Sequence, residues 1–452
     1  MSVLVVLLVG QAMASMDEEI LVIAAPNLGS DLHASSAQLQ LVLAMYIVAF
    51  AALVVTGARL GDVIGRRRAF LIGLCGFTAS SLAGGLAPNA VILIGIRALQ
   101  GASAAAMTPQ VLSIIQLQFE GEKRARAIGA YSMVLAAGVA AGQVLGGLIV
   151  SVTAVWRPAL LLNVPIGAVL LPIAFRRLPD VDRGARRRLD LSGALLLSAA
   201  LVALVVPLSL GRDTGWPAWT WPSLAGCVVV FVGFVGREHT LGRRGRDPLF
   251  DLGVMKRPGI AAGVIAVTVV MACYAGFLVA LTLHLQTGLH FSPLVTGLVF
   301  MSYAAGFAVA SLTWTRARPA MQARLPTLGP VAMGAALLGV GAVAAGGGWP
   351  VALTTPLLFC AGAGNAWAFS PLADRLTSVV DASQAADVSG LIITASLVGQ
   401  VLGVVVFVDV YFSALPHGSA HALALTTAVL ASALVPTAVC ACTASRPSLR
   451  AA

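Results

Sequence analysis

The sequence predicts an all-α polytopic membrane protein, and three observations predict it. Hydrophobic residues make up 59% of the 452 and charged residues only 10%, where a soluble domain carries about 25% charged. Apolar runs of about 20 residues, each long enough to cross a hydrocarbon core, recur from end to end. The basic residues are confined to the connections on one side. Within lipid the backbone must satisfy its own hydrogen bonds, so such runs are expected to be helices.

Fourteen spans follow. The first, 2–28, opens on SVLVVLLV and carries Asp17, Glu18 and Glu19 near mid-depth. Its Ala12-Met13-Ala14 has the form of a signal-cleavage site, but no positive region precedes it, so the span is expected to stay whole. Spans 37–57 and 69–87 enclose the charged turn GARLGDVIGRRR, residues 57–68. Span 90–118 holds Arg97, and span 127–151 carries the spaced glycines Gly138, Gly142, Gly146 and Gly147. Span 159–175 follows Trp156 and Arg157. The pair 191–210 and 222–236 lies between arginine-rich segments, 176–190 and 237–247. It is joined by GRDTGWPAWTWP, whose Trp216, Trp219 and Trp221 read as an interfacial belt. Spans 259–285, 293–313, 326–345, 350–371, 388–411 and 419–442 complete the set.

With both termini cytoplasmic, every Lys and Arg falls in a cytoplasmic segment except Arg157 and Arg212, outside, and Arg97, within a span. The positive-inside rule fixes that orientation in the cell (inner) membrane. The net charge of +10 therefore reports topology, and no nucleic-acid partner is expected. The six cysteines lie in or at the ends of apolar spans, where cysteine packs as a small hydrophobe. No disulfide or metal is expected.

An internal repeat organises the spans. Gly142-Gln143-Val-Leu-Gly146 recurs as Gly399-Gln400-Val-Leu-Gly403, and Arg59 and Arg67 recur as Arg316 and Arg324, all at the same offset. The predicted domains are a six-helix bundle over 1–176, an inserted helix pair over 177–257, and a second six-helix bundle with a short tail over 258–452. Parallel repeats of this kind place a substrate site between the halves at mid-membrane.

Five motifs carry a resemblance. In the turn, Leu60, Gly61, Asp62, Gly65, Arg66 and Arg67 resemble the signature after the second helix of the major facilitator superfamily. Val63 stands at a usually basic position and Gly57 is one residue early. Asp17, Ala24 and Pro26 resemble the first-helix motif of the fourteen-helix drug:proton antiporters, with Glu19 at a threonine position and Val22 at an asparagine. Arg97, Gln100 and Gly101 resemble the fourth-helix motif, with Ser103 at the usual glycine. Gly138, Gly142, Gln143, Gly146 and Gly147 resemble the antiporter motif of the fifth helix, with Gln143 where proline is typical. Asn163-Val-Pro165-Ile-Gly167 is similar to the start of the family's sixth helix.

The residues themselves point to the same chemistry. Ionisable groups inside a span are costly and mark function or a specific polar packing. Successive helical side chains lie about 100° apart, so Asp17, Glu18 and Glu19 cannot share one direction; Asp17 is expected to face inward with one glutamate beside it. Arg97 cannot lose its proton and needs a partner. Spaced glycines give a face on which another helix packs closely.

The resemblance implies a major facilitator fold and a secondary transporter that exports a hydrophobic or amphipathic small molecule in exchange for protons. It implies proton coupling through Asp17, Glu19 and Arg97. An inner gate would join Gly61, Asp62, Gly65, Arg66 and Arg67 to the cytoplasmic loop 120–126, with Arg124. No cofactor is expected beyond a proton gradient, and the chain is expected to act as a monomer. Alternatives are a proton-coupled importer, a polytopic membrane enzyme or a non-transporting sensor. For an enzyme the six histidines form no cluster in the sequence, and P-loop and nucleophile-elbow signatures are absent from it.

Overall fold

The computed structural model describes residues 2–179, 190–213, 215–243, 252–378 and 382–445. Most of the two arginine-rich segments that flank the inserted pair lies outside the described residues. All regular structure among the described residues is helical. Among the described residues twelve helices, rather than the expected fourteen, are long and apolar enough to cross a membrane. The two that fall short have identifiable causes. The first carries three adjacent carboxylates, and the third spends its first turn on three arginines.

The chain divides into two compact units, Met1–Leu249 with Ser292–Gly297, and Phe250–Phe291 with Leu298–Ala452. In the first unit the helices are α1 (Val3–Asp31), α2 (Ser36–Ile64), α3 (Arg66–Gly85), α4 (Ala90–Gln118), α5 (Gly121–Thr153), α6 (Arg157–Leu161), α7 (Asn163–Arg177), α8 (Leu191–Asp213) and α9 (Thr220–Arg243). Side-chain caps start several of them. Asn89 Oδ1 accepts from Ile92 N–H at 2.9 Å. Ser35 and Gln38 form a reciprocal capping box at the head of α2.

The charged turn proves to be helix on both sides of a single residue. α2 runs through Asp62 to Ile64, Gly65 turns the corner at φ 98°, and Arg66 already begins α3. Glycine reaches that φ without the strain a Cβ adds. Likewise the expected loop 120–126 is mostly the first turns of α5.

Within this unit α1 packs on α5, α2 and α3 on α4, α7 on α3, and α8 on both α9 and α2. Glycines permit the closest approaches. A methyl on Gly142 or Gly146 would strike the Met16 or Ile20 carbonyl of α1, and one on Gly101 the Tyr46 carbonyl of α2. The α8–α9 pair is clipped by Arg237, which donates to both Asp190 carboxylate oxygens at 2.7 Å. Burial alone would raise the Asp190 pKa, but the Arg237 bonds and the Gly193 N–H hold it below the usual carboxylate value. Trp216, Trp219 and Trp221 are exposed beside the α8–α9 turn, as a belt requires.

The second unit contains α10 (Ile260–Leu283) running into a π-turn (His284–Gly288), most of α11 (Pro293–Thr313), then α12 (Pro319–Gln322), α13 (Leu325–Ala345) and α14 (Val351–Ser378). α15 (Ala382–Leu402) leads through a second π-turn (Gly403–Phe407) into α16 (Val408–Ala414), and α17 (Ser419–Ser445) follows. α13 packs on α14 and α17, and α10 on α15 and α17.

The internal repeat has a geometric counterpart. Gly399 and Gly403 meet the Thr268 and Ala272 carbonyls of α10 as Gly142 and Gly146 meet those of α1. Tyr46 and Tyr303 stand at the repeat offset, and the carbonyl of each lies against a glycine, Gly101 and Gly362 respectively.

Candidate functional site

Asp17 sits midway along α1 and is fully buried. Its carboxylate is the acceptor at the centre of a network drawn from four other helices. Arg97 Nη1, on α4, donates to Oδ2 at 2.6 Å. Gln100 Nε2, one turn further along α4, donates to Oδ1 at 2.9 Å, and Asn163 Nδ2, at the start of α7, donates to the same oxygen at 2.6 Å. Gln100 Nε2 also reaches Ser81 Oγ of α3 at 2.9 Å. Because an ionised carboxylate only accepts, its neighbours fix which way both amides point.

Arg97 is 1% exposed. Beyond Asp17 it donates to Gln100 Oε1 at 2.6 Å and to the Val42 carbonyl at 3.4 Å. Its guanidinium lies over the Tyr46 ring, 4.4 Å from the centroid, a cation–π contact that strengthens away from water. A buried ion pair repays its desolvation only when the remaining donors and acceptors are satisfied. Here they are.

The other two acids of α1 point elsewhere, as the helical spacing requires. Glu19 is buried and turns towards α5, where Gln143 Nε2 donates to its carboxylate at 3.2 Å. A Cβ on Gly142 would also touch the Glu19 Cβ, so the α5 glycines and Gln143 bring that helix against the acidic stretch. Glu18, between the other two, is part-exposed. Gly138 approaches Ser15 one turn earlier, and Gly147 faces Pro293 in the short stretch that folds with this unit. Proline is absent at Gln143, and its amide takes up a polar contact instead.

The expected gate residues are brought together in part. Arg66 donates to Asp62 at 3.0 Å, one helical turn away across Gly65. This pair offsets two unfavourable placements, an acid in the last turn of α2 and cations in the first turn of α3. Arg67 donates to the Phe175 carbonyl at the end of α7 and lies over that ring at 5.3 Å. Gly61 packs against the Gln110 side chain of α4. Arg124 is exposed at the start of α5; Asp62 instead forms its ion pair with Arg66, which the sharp turn at Gly65 leaves within reach.

Three residues of the central network escaped the sequence reading: Tyr46, Ser81 and Asn163. Each is a single polar group in an apolar span, and Asn163 was visible only as part of a helix-start motif.

Residues 7–404 match the Major Facilitator Superfamily. The chain belongs to that family. Among its relatives, the cephamycin export protein of Amycolatopsis lactamdurans is 34% identical over 407 residues, covering 87% of this chain and 81% of the relative. The tetracenomycin C resistance and export protein of Streptomyces glaucescens is 32% identical over 419 residues, covering 88% and 73%. Among solved structures, a POT family transporter in complex with 5-aminolevulinic acid superposes with a TM-score of 0.70 at 14% identity, covering 96% of this chain and 94% of that one. That likeness speaks for the fold. The facilitator-superfamily chain is thus a multi-pass membrane transporter of small molecules, not an enzyme.

Proposed function

We propose that this transporter exports a hydrophobic or amphipathic small molecule, of the antibiotic or secondary-metabolite class, in exchange for protons by alternating access. The observation that carries the reading is the fully buried Asp17, held by Arg97, Gln100 and Asn163. An acid at that depth, paired yet able to take a proton, suits a group that loads on one side and releases on the other. Protonated Asp17 becomes a donor, and Asn163 Oδ1, which has no hydrogen-bond partner among the described residues, is an acceptor within one amide rotation. Loading would therefore rearrange the contact between α1 and α7 and weaken the pull of Arg97 on α1. The export names of the relatives support the outward direction.

The same reading takes α1 and α3 as spans, giving fourteen, with Asp17 and Glu19 turned to protein rather than lipid. It takes 177–257 as an insertion between two six-helix bundles, both termini as cytoplasmic, and 61–67 with Arg124 as the inner gate. Drug accumulation in an efflux-deficient host tests the function. Expression should lower accumulation, and a protonophore should restore it; accumulation unchanged by expression would remove the export reading. Cysteines placed at Gly215 and Gly347 should label from outside and one at Ala185 should not.

A further inference from the structure

The second unit holds a buried polar cluster apart from the Asp17 network. His284 begins the π-turn that ends α10, where Leu289 N–H donates to the His284 carbonyl at 2.9 Å. The imidazole is 1% exposed; neither ring nitrogen makes a hydrogen bond of normal geometry among the described residues, and the Ser419 backbone is the polar group that comes nearest to making one. A Cβ on Gly288 would meet both Ser419 Oγ and His284 Nδ1, so those two polar groups share the space above that glycine. The Trp349 ring lies 6.3 Å away, centroid to centroid. Tyr411, fully buried on α16, places its hydroxyl beside Thr287 of the same π-turn.

A neutral imidazole carries one donor and one acceptor, and burying both without partners is unfavourable. An imidazolium presents two donors instead. An acceptor stands nearby in Ser419, whose Oγ shares the space above Gly288 with His284 Nδ1 and whose backbone also lies beside the imidazole. The titratable groups on the surrounding elements are few. α16 brings Tyr411 and Asp409, the residue pair after the π-turn brings the exposed His290, and the turn before α17 and its first turn bring His417 and His421, exposed and 5.6 Å apart. α10, α13, residues 346–350 and α17 contribute no Asp, Glu, Lys or Arg. π-turns are energetically marginal and concentrate at functional sites, because reverting to α geometry shifts the helical register beyond them.

We propose that His284 is a second proton-binding site, separate from Asp17, and that proton binding there biases the π-turn of α10. On the export reading above, from which its outward-facing position follows, His284 would be the group that meets protons arriving from outside. Proton binding itself is testable without that reading. An imidazolium quenches the emission of an adjacent indole far more than a neutral imidazole does, so Trp349 is a built-in reporter. The experiment titrates the purified full chain in lipid nanodiscs from about pH 5 to pH 8, without substrate or gradient, and subtracts the emission of the Trp349→Phe variant. The difference signal should fall on acidification along a one-proton curve. It should be flat in His284→Gln, and its midpoint should move in Ser419→Ala, which keeps the imidazole but removes an acceptor. A flat signal in the unmodified protein, a curve that survives His284→Gln, or a midpoint indifferent to Ser419→Ala would each overturn the proposal. Loss of transport with the titration intact would count against the antiport reading alone.

Discussion

Removing Arg97 and Asp17 together should cost less than the sum of removing each alone. In Arg97→Met, Asp17 loses the 2.6 Å bond from the guanidinium and keeps Gln100 and Asn163. Breaking one side of a buried pair costs about 3–5 kcal/mol, and the two remaining donors put this case near the lower figure. In Asp17→Asn, Arg97 keeps the Gln100 amide, the Val42 carbonyl and the Tyr46 ring. That loss should be about 2–3 kcal/mol, the upper part of the range for a hydrogen bond to a charged group. If the sites were independent, the double variant D17N/R97M would lose the sum, about 5–8 kcal/mol. It should instead lose about 3–5 kcal/mol, because no bare charge is left behind, giving a coupling of about 2–3 kcal/mol. Unfolding in mixed micelles by increasing SDS, followed by circular dichroism, measures all four proteins. Losses that add to within about 0.5 kcal/mol would refute the idea that this pair anchors the network.

Three further outcomes follow from the packing and charges. Gly142→Ala sets a methyl against the Met16 carbonyl and Glu19, and overpacking of that kind costs about 1–3 kcal/mol; an unchanged melting curve with full transport would show that α1 and α5 can separate freely. Asp62→Asn removes a part-exposed i, i+4 pair worth about 0.5 kcal/mol, so melting should hardly change while transport falls severely. Full transport in that variant would reduce the segment to a topological signal. Asp190→Asn should destabilise the α8–α9 clip by about 1–2 kcal/mol at neutral pH. Because the folded pKa of Asp190 is depressed, its contribution is present above the unfolded value of about 3.9. It is lost as pH falls through the folded value, so the variant and the unmodified protein should converge in acid. A difference that persists there would point to lost shape rather than lost charge.

Hydropathy alone located the helices, since a run of apolar residues can be read locally. The charged ends were misjudged for a physical reason. Arg66, Arg67 and Lys123 look like loop residues by polarity, yet their backbones are helical, and a lone Gly65 makes the corner. Asp17 and Arg97 were legible because a charge in an apolar span stands out. Their pairing was a matter of chemistry, as neither could be buried alone. Asn163, Ser81 and Tyr46 were not legible as site residues. Each is uncharged, isolated in its own helix, and brought to Asp17 only by tertiary packing. Asp62 pairs with Arg66, itself among the expected gate residues, because a contact one turn away competes with any contact to another helix.

The central claim is that Asp17 carries the coupled proton. It is tested most directly by uptake into inverted vesicles of a compound identified by the accumulation assay, driven by an imposed pH gradient and run beside substrate-for-substrate exchange. In Asp17→Asn, which keeps the side chain's size and most of its hydrogen bonds but cannot titrate, proton-driven uptake should vanish while exchange persists. Glu19→Gln, whose partner is Gln143 on another face of α1, should keep more of both. Undiminished proton-driven uptake by Asp17→Asn would contradict the account and move the coupling site elsewhere.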